Sequence, residues 1–332
     1  MSSKVVVTGG AGFLGSHVAD ALVARERAVV LLDDLSTGSL ENCRECLQRP
    51  EVEFRRGDVR DPGLVREACA GADVILHLAA RKIPRYGNRL DTLLVNSGGV
   101  LNVLEAARAS NSKVILASTS DVYGKSQALP FSEQGDSVLG PPNVARWSYA
   151  VSKMMGEHLV FGYAERYGVR PVILRLFGSY GPRENRGWLG GAPSAFIEAL
   201  LQGKEIEIHG DGQQTRSFCY VSDTVDAILA AIDREEAVGQ VINVGSDEEI
   251  TILDLARLIA ELAGMELDGH LKFIPYESFT GRPYEDVIRR VPDLVRARTI
   301  LGVRSQVPMR EGLVQTIAWH RRQIDQERGT PR

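Results

Sequence analysis

The sequence of 332 residues predicts an α/β fold, in which a doubly wound parallel sheet is followed by a smaller C-terminal α+β domain. Short apolar runs alternate with stretches of helical period between Lys4 and about Leu174. These runs are rich in Val, Ile and Leu along their whole length, as is typical of parallel strands covered by helices on both faces. After Phe177 the sequence changes to a segment rich in Gly, Pro and Arg.

The order of the elements follows from the same patterns. Six apolar runs predict strands, in the order VVVTG, AVVLLDD, VEFRRGD, VILHLAA, KVILAST and RPVILRLFG. Helical periodicity predicts two buried helix faces, formed by Leu14, Val18, Ala21 and Leu22 and by Val100, Leu101, Leu104 and Ala107. These elements are expected to form a first domain over residues 1–177.

The later segments predict a smaller domain over residues 178–332, which is expected to bind the substrate. SAFIEALLQG, SDTVDAILAAI and TILDLARLIAELAG predict helices, EIEIHG and VINVG predict strands, and a last helix is expected from Met309 to Arg322. Residues 222–248, approximately, are expected to return to the first domain. Because open α/β sheets bind ligands at the carboxyl ends of their strands, we expect the site at that edge.

Composition and charge narrow the function. The formal charge is -4, and Lys and Arg are scattered, so neither nucleic acid nor a membrane surface is an expected partner. No apolar run reaches the roughly 18 residues that span a bilayer, and the first residues lack the pattern of a secretion signal, so a cytoplasmic protein is expected. Cys43 and Cys46 have C-x-x-C spacing without a second ligand pair nearby, which favours ordinary thiols and no metal.

A glycine-rich turn predicts a dinucleotide site. Gly9, Gly12 and Gly15 lie between a strand and a helix, where glycine permits a tight turn, close approach of a pyrophosphate and helix packing. Asp33 ends the next strand 18 residues after Gly15, where a carboxylate can bind both ribose hydroxyls. Asp33 and Asp34 would repel a 2′-phosphate, so the cofactor is predicted to be NAD and the first domain a Rossmann domain.

Further residues at strand ends are expected to contact NAD. Asp58 and Val59, after the third strand, could face the adenine. The small residues of HLAA, at the end of the fourth strand, would let the protein backbone lie close to the dinucleotide. The other expected cofactor contacts are Phe13, Leu14, Leu35, Ser36, Gly38, Leu78, Ala79, Ala80, Lys82 and Asn96.

A second motif predicts proton transfer. Tyr149 and Lys153 are one helical turn apart and share a helix face, and Thr119 ends a strand expected beside the nicotinamide. A tyrosine is a poor base at its usual pKa of about 10. The neighbouring ammonium and the positive charge of NAD⁺ are expected to lower the pKa of Tyr149. Ser118 is expected to satisfy backbone groups at the strand end.

Over nearly its full length the chain resembles extended short-chain dehydrogenase/reductases of the nucleotide-sugar epimerase, dehydratase and decarboxylase group. The resemblance is carried by TGGAGFLG, LDDLSTG, GDVRD, HLAA, STSDVYG, YAVSK, FGSYGPR, HGDGQQTRSF and RRVPD. It implies that Tyr149 is the base, that Lys153 lowers its pKa and binds the nicotinamide ribose, and that Thr119 is their hydroxyl partner. It also implies a homodimer built from helices at about 95–109 and 149–166.

The same resemblance implies a UDP-sugar substrate. Arg216 and Arg290 match arginines that the family directs at the diphosphate or the sugar. Many relatives have Asn or Thr where this chain has Gly178, so Arg186 is a candidate replacement. Several cations would suit either a carboxylate at C6 or phosphates, namely Lys82, Arg85, Arg186 and Arg290. The remaining expected substrate contacts are Thr119, Ser120, Asp121 and Tyr149.

Ser120 and Asp121 are expected to select the reaction, because typical dehydratases of the group have Asp-Glu at these positions and decarboxylases Ser-Glu. A 4-epimerase needs neither acid nor base there. The sequence therefore favours 4-epimerisation of UDP-glucose or UDP-glucuronate through a 4-keto intermediate. UDP-glucuronate decarboxylation and an atypical dehydratase remain as alternatives. A non-catalytic NAD-binding protein would have no need for Thr119, Tyr149 and Lys153 together.

Overall fold

The computed structural model describes residues 3–82, 88–279 and 287–329. The strands in this part of the chain are β1 (Lys4–Thr8), β2 (Ala28–Asp33), β3 (Val52–Arg56), β4 (Val74–His77), β5 (Lys113–Thr119), β6 (Arg170–Leu176), β7 (Ser179–Tyr180), β8 (Ile206–His209), β9 (Thr215–Ser217), β10 (Cys219–Tyr220), β11 (Val241–Val244), β12 (Glu249–Thr251), β13 (Leu271–Ile274) and β14 (Arg289–Arg290). The α-helices are α1 (Phe13–Val23), α2 (Pro62–Cys69), α3 (Arg89–Ser110), α4 (Trp147–Tyr167), α5 (Ala192–Leu201), α6 (Val221–Asp233), α7 (Ile252–Ala263), α8 (Tyr276–Phe279) and α9 (Met309–Gly329).

Seven of these strands form one parallel sheet in the order β11-β6-β5-β4-β1-β2-β3. The predicted doubly wound α/β fold is therefore confirmed, and all six apolar runs supply strands of the sheet. The strand order reverses between β1 and β4, which pair through Thr8 and His77 at their carboxyl ends. A reversal of this kind opens a crevice at the carboxyl edge, where such sheets bind ligands.

Helices cover both faces of the sheet. On one face, Val18 and Leu22 of α1 share an apolar core with residues of α6 such as Ile228. On the other face, α3 and α4 pack over a second core, to which Val100 contributes. Leu101, predicted to lie on the buried face of its helix, is instead 42% exposed. The other three residues of that predicted face, Val100, Leu104 and Ala107, are buried.

The chain after β6 adds a second group of elements and then returns to the sheet. Helices α5, α7 and α9 pack beside the pairs β8–β13 and β9–β12, and their apolar residues continue the core of the first sheet face. Strand β11 pairs with β6 at the edge of the sheet. Helix α9 continues to Gly329, beyond the predicted end at Arg322. The division into domains at residue 177 stays a prediction.

The C-x-x-C pair lies in two short 3₁₀ turns after β2. Both thiols are buried, and they donate hydrogen bonds to backbone carbonyls, Cys43 to Gly10 and Cys46 to Cys43. Cys43 thus helps to hold the glycine-rich turn in place.

None of the helices within the described residues combines the length and the apolar character needed to cross a membrane.

Candidate active site

A cavity of about 590 Å³ follows the carboxyl edge of the sheet, from the glycine-rich turn to the elements after β6. Its wall contains most of the residues that the sequence predicts for cofactor or substrate, and so brings together positions from six strand ends. These residues are Gly9, Gly12, Phe13, Leu14, Gly15, Asp33, Asp34, Ser36, Asp58, Val59, Leu78, Ala79, Ala80, Lys82, Thr119, Ser120, Asp121, Tyr149, Lys153, Gly178, Arg216 and Arg290.

Three predicted cofactor contacts do not line the cavity and instead support its wall. The backbone N–H of Leu35 donates to Asp33 Oδ1 at 2.8 Å. A Cβ atom on Gly38 would lie 2.8 Å from the carbonyl carbon of Ala11, so glycine allows this loop to approach the glycine-rich turn. The side chain of Asn96 is buried and binds the backbone N–H of Arg81 and the hydroxyl of Ser152. Asn96 therefore fixes the loop after β4 rather than facing the cavity.

The glycine-rich turn has the geometry that a bound dinucleotide requires. Gly9 has a φ of +69°, which glycine adopts without strain, and its N–H donates to the carbonyl of Leu32 at 2.8 Å. Asp33 at the end of β2 accepts from the backbone N–H of Ala11 at 3.0 Å, so its carboxylate is held against the same turn. Burial raises the pKa of Asp33, and these backbone bonds lower it. The turn and this carboxylate fit the pyrophosphate and a ribose of NAD.

Gly15→Ala is expected to lower NAD affinity at least tenfold. A Cβ atom at this position would lie 2.1 Å from the carbonyl oxygen of Gly9, so the backbone of the turn would have to move. Titration of NAD against protein fluorescence measures the change. Gly162→Ala is the matched control, because a Cβ there meets nothing within 4 Å. It should leave NAD affinity unchanged and add about 0.5–1 kcal/mol to helix stability. Equal NAD affinity in the two variants would contradict the role given to Gly15.

Tyr149, Lys153 and Thr119 meet in the cavity wall below the glycine-rich turn. Tyr149 and Lys153 lie on α4, and the ammonium of Lys153 is 6.0 Å from the centre of the Tyr149 ring. The same ammonium donates to the carbonyl of Ala117 in β5 at 2.7 Å, which fixes its position. The hydroxyl of Thr119, at the end of β5, is hydrogen-bonded to the Tyr149 phenol. The structure therefore places the three predicted catalytic residues together.

In the protein alone, burial raises the pKa of Tyr149 above its usual value of about 10, and the carboxylate of Asp121 raises it further, while the bond with Thr119 lowers it. Burial has this effect because it disfavours a charged phenolate. The lowering expected from Lys153 together with bound NAD⁺ stays a prediction. The pKa of Lys153 is lowered to about 8, chiefly by burial and also by the neighbouring charge of Lys82, while Glu157 acts in the opposite direction.

A buried ion pair lies behind these residues and was not predicted. The carboxylate of Glu157, one turn after Lys153 on α4, accepts two hydrogen bonds from Arg175 of β6, at 3.0 and 2.7 Å. It also accepts a bond from the hydroxyl of Ser118 in β5. Ser118 was expected to satisfy backbone groups. Its hydroxyl instead binds the side chain of Glu157. In the sequence, the signal for Glu157 was its position one helical turn after Lys153. This spacing could not predict the ion pair, because the partners of Glu157 lie on β5 and β6.

Asp121 is held by two arginines. Its Oδ1 atom accepts from Arg146, just before α4, at 3.3 Å and pairs with Arg290 of β14 at 3.0 Å. All three side chains line the cavity and are at most 23% exposed. Arg146 was missed in the sequence, although it stands only three residues before Tyr149. This cluster of Arg146, Asp121 and Arg290 places two guanidinium ions beside Tyr149.

Arg186 was the candidate replacement for the side chain that Gly178 lacks. Its guanidinium pairs with Glu198 of α5 and Glu327 of α9, and it lies outside the cavity wall. These carboxylates hold Arg186 between two helices, and its contact with the sugar stays a prediction. Gly178 has a φ of +48°, a conformation that favours glycine or asparagine. Arg85, the other predicted cation near the sugar, lies outside the described residues.

The fold and the cavity together define an NAD-binding enzyme in which a tyrosine and a lysine of one helix share a cavity with the glycine-rich turn. The chain belongs to the NAD dependent epimerase/dehydratase family, whose sequence pattern matches residues 5–245. This membership confirms the resemblance stated above and the predicted cofactor NAD. The protein is therefore an enzyme of the NAD-dependent nucleotide-sugar epimerase, dehydratase and decarboxylase group.

Relatives and solved structures agree on the group and differ in reaction. A UDP-N-acetyl-alpha-D-glucosaminuronate decarboxylase of Bacillus cytotoxicus is 36% identical, with 97% of this chain and 98% of that protein covered. UDP-glucuronic acid decarboxylase 1 of Xenopus tropicalis is 33% identical, with 98% and 73% covered. Among solved structures, the chain is similar to the crystal structure of a UDP-glucuronic acid 4-epimerase of Bacillus cereus in complex with UDP-glucuronic acid and NAD. The TM-score is 0.85 at 28% identity, and the match covers 96% of this chain and 99% of the other.

Proposed function

We propose that this protein acts on a UDP-linked uronic acid, oxidising it at C4 and then removing the C6 carboxylate as CO₂. The observation that carries the proposal is the cluster of Arg146, Asp121 and Arg290 beside Tyr149. The guanidinium groups of Arg146 and Arg290 lie beside one carboxylate in the cavity wall. A carboxylate on the sugar would be attracted there, whereas the neutral CH₂OH of a hexose would gain no ion pair. The named uronate decarboxylases among the relatives support the same substrate class.

Each residue of the wall has a part in this chemistry. Bound NAD supplies the acceptor, and later the donor, of the C4 hydride. Tyr149 takes the proton of the 4-hydroxyl, and Thr119 holds that hydroxyl in line. Lys153 stays near the phenol, fixed to the carbonyl of Ala117. Once C4 is a ketone, the C5–C6 bond can break, because its electron pair passes into the carbonyl as CO₂ leaves. The enolate then takes a proton at C5 from solvent. The C4 ketone takes back the hydride at carbon and the proton of the Tyr149 phenol at oxygen, which restores the 4-hydroxyl.

Uronate 4-epimerisation, the reaction favoured by the sequence, is the second candidate. The carboxylate of Asp121 is one methylene shorter than the glutamate of typical decarboxylases and is bound by two arginines. A carboxylate held in this way is a poor proton donor, which favours a reaction that needs none at that position. The similarity to a UDP-glucuronic acid 4-epimerase supports the same candidate.

Incubation with UDP-glucuronate, beside UDP-glucose, tests the proposal. Release of CO₂ from the uronate, with a UDP-pentose as product, is the expected result. Formation of UDP-galacturonate without CO₂ would replace decarboxylation with epimerisation. Turnover of UDP-glucose at a rate equal to that of the uronate would overturn the uronate assignment, because the arginine cluster would then confer no selectivity.

We also propose that the protein is a homodimer formed through α3 and α4. These two neighbouring helices expose large apolar side chains, each 42–55% accessible, that a second copy could cover: Leu90, Leu94, Leu101, Val151 and Met155. Large exposed apolar patches of this kind mark interaction surfaces more often than scattered single residues do.

The variant Leu94→Glu/Met155→Glu is expected to be a monomer with an intact fold. Two charges in an apolar interface cannot be solvated once it forms, so association should weaken strongly. Sedimentation velocity or light scattering measures the mass. Val314→Glu changes an equally exposed side chain on α9 and should leave the mass unchanged. A wild-type protein that is monomeric at micromolar concentration would contradict the proposal.

A further inference from the structure

Residues 181–191, between β7 and α5, form a wall segment of the cavity. The residues of this wall segment that line the cavity are Glu184, Asn185, Trp188, Gly190 and Gly191. The indole of Trp188 stacks on the imidazole of His209, at the end of β8, with the ring centres 4.6 Å apart. Gln214, just before β9, donates to the carbonyl of His209 at 2.8 Å, and both residues line the cavity. The wall segment thus encloses the cavity beside β8 and β9.

The middle of the wall segment is held by helices of the second group of elements. Arg186 pairs with Glu198 of α5 and Glu327 of α9. The hydroxyl of Ser194, on α5, donates to the carbonyl of Asn185 at 2.9 Å. These contacts fix the wall segment on the side of α5 and α9.

The start of the wall segment is held instead by α1, the helix that follows the glycine-rich turn. His17 Nε2 donates to the carbonyl of Pro182 at 2.9 Å, and Arg183 Nη1 donates to Asp20 Oδ2 at 2.6 Å. Arg183 has a φ of +66°, a left-handed conformation that is uncommon for a residue other than glycine. Backbone strain of this kind persists where surrounding contacts fix the conformation. The two bonds to α1 are such contacts.

His17 and Asp20 share one face of α1 with Phe13, which lines the cavity. The three residues are three or four positions apart, a spacing that places side chains on the same side of a helix. The ring of Phe13 contacts the ring of His17 edge to face, with centres 5.8 Å apart. One helix therefore carries the glycine-rich turn at its start and holds the wall segment along this face.

We propose that His17 and Asp20 are positioning residues, which set the place of the wall segment against the substrate through Pro182 and Arg183. Neither side chain lines the cavity, so any effect on the reaction passes through the wall segment. A wall that moves by a fraction of an ångström loses contacts with its ligand, while the glycine-rich turn stays formed. The inference rests on the proposed function in one respect, namely that the UDP-sugar occupies the cavity beside the wall segment.

The double variant His17→Leu/Asp20→Asn removes both bonds and is expected to raise KM for UDP-glucuronate at least tenfold. Leucine keeps an apolar contact with Phe13, and asparagine keeps the size of aspartate. Each single substitution should raise KM about three- to fivefold. NAD affinity, measured by fluorescence, should change less than about threefold, because the glycine-rich turn is untouched. A merely structural role would lower stability without this split between KM and NAD affinity.

Arg183→Asn separates positioning from stability. Asparagine adopts the left-handed conformation more readily than arginine but is too short to reach Asp20. The midpoint of urea denaturation should therefore not fall, while KM rises. The charge-reversed variant Asp20→Arg/Arg183→Asp restores the ion pair and should bring KM to within about threefold of the wild type. Asp233→Asn breaks an ion pair with Arg27 that is similarly exposed and lies outside the cavity wall, and it should leave KM unchanged.

A KM for UDP-glucuronate that is unchanged in the double variant would overturn the inference, and so would an equal loss of NAD affinity. If the wild type converts no UDP-sugar, the proposed function fails. The positioning role is then tested by calorimetric titration of UDP into the wild type and the double variant with NAD present. A dissociation constant at least tenfold higher in the double variant would support the role, and equal constants would refute it.

Discussion

Tyr149→Phe is expected to lower kcat by about 10²- to 10⁴-fold while NAD remains bound. The phenol hydrogen-bonds Thr119 at the carboxyl end of β5, and Tyr149 is the one tyrosine in the cavity wall among the described residues. Phenylalanine keeps the ring and removes the atom that takes the proton of the 4-hydroxyl. Product formation by chromatography and NAD binding by fluorescence measure the two effects separately.

Tyr167→Phe is the matched control for this variant. Tyr167 lies on the same helix, α4, but is 43% exposed and outside the cavity wall. The Tyr167→Phe variant should keep full activity. Turnover of Tyr149→Phe within a few fold of the wild type would show that another group takes the proton, and loss of NAD in that variant would show that the change disturbs the cofactor site.

Glu157→Gln is expected to lower the free energy of unfolding by about 3–5 kcal/mol. The change leaves the guanidinium of Arg175, whose side chain is 10% exposed, without its carboxylate partner. It also weakens the bond from Ser118, which joins β5 to α4, because an amide oxygen is a weaker acceptor than a carboxylate. Because Thr119 lies on β5 and Tyr149 on α4, kcat should fall as well. Urea denaturation measures the stability and steady-state kinetics the rate.

Two other variants separate the effect of burial from the effect of charge on the free energy of unfolding. Glu105→Gln removes an exposed ion pair with Arg108 on α3 and should cost less than about 1 kcal/mol. The double variant Glu157→Leu/Arg175→Met replaces both buried charges with apolar side chains and should recover most of the lost stability. A Glu157→Gln protein as stable as the wild type would mean that water reaches Arg175 and that the pair does not act as a buried one.

Much of the cofactor half of the site could be read from the sequence because its signals are local. A strand followed by Gly9, Gly12 and Gly15 and a helix is one continuous segment. The acidic residue at the end of the next strand is at a fixed distance along the chain. The spacing of Tyr149 and Lys153 places them on one helix face in the same way. In each case the backbone geometry of a single element brings the side chains together.

The substrate half depended on contacts between distant segments. The sequence predicted Arg186 at the sugar, but its side chain pairs with carboxylates of α5 and α9, which no local pattern indicates. Burial raises the pKa of Tyr149, and burial is a property of the packed chain that no local pattern indicates. Leu101 is exposed because the buried face of α3 is formed by Val100, Val103, Leu104 and Ala107, and Leu101 lies beside that face.

The sequence alone therefore determined the fold class and the cofactor, and it predicted that Tyr149 and Lys153 share one helix face, since period, turn residues and spacing act within one or two elements. Only the tertiary structure decided what surrounds them. It set Asp121 between Arg146 and Arg290, joined Ser118 to Glu157, and buried Glu184 in the cavity wall. These contacts link loops and strands that are far apart along the chain. Which side chains lose water and which find partners is settled when the sheet, helices and loops pack together.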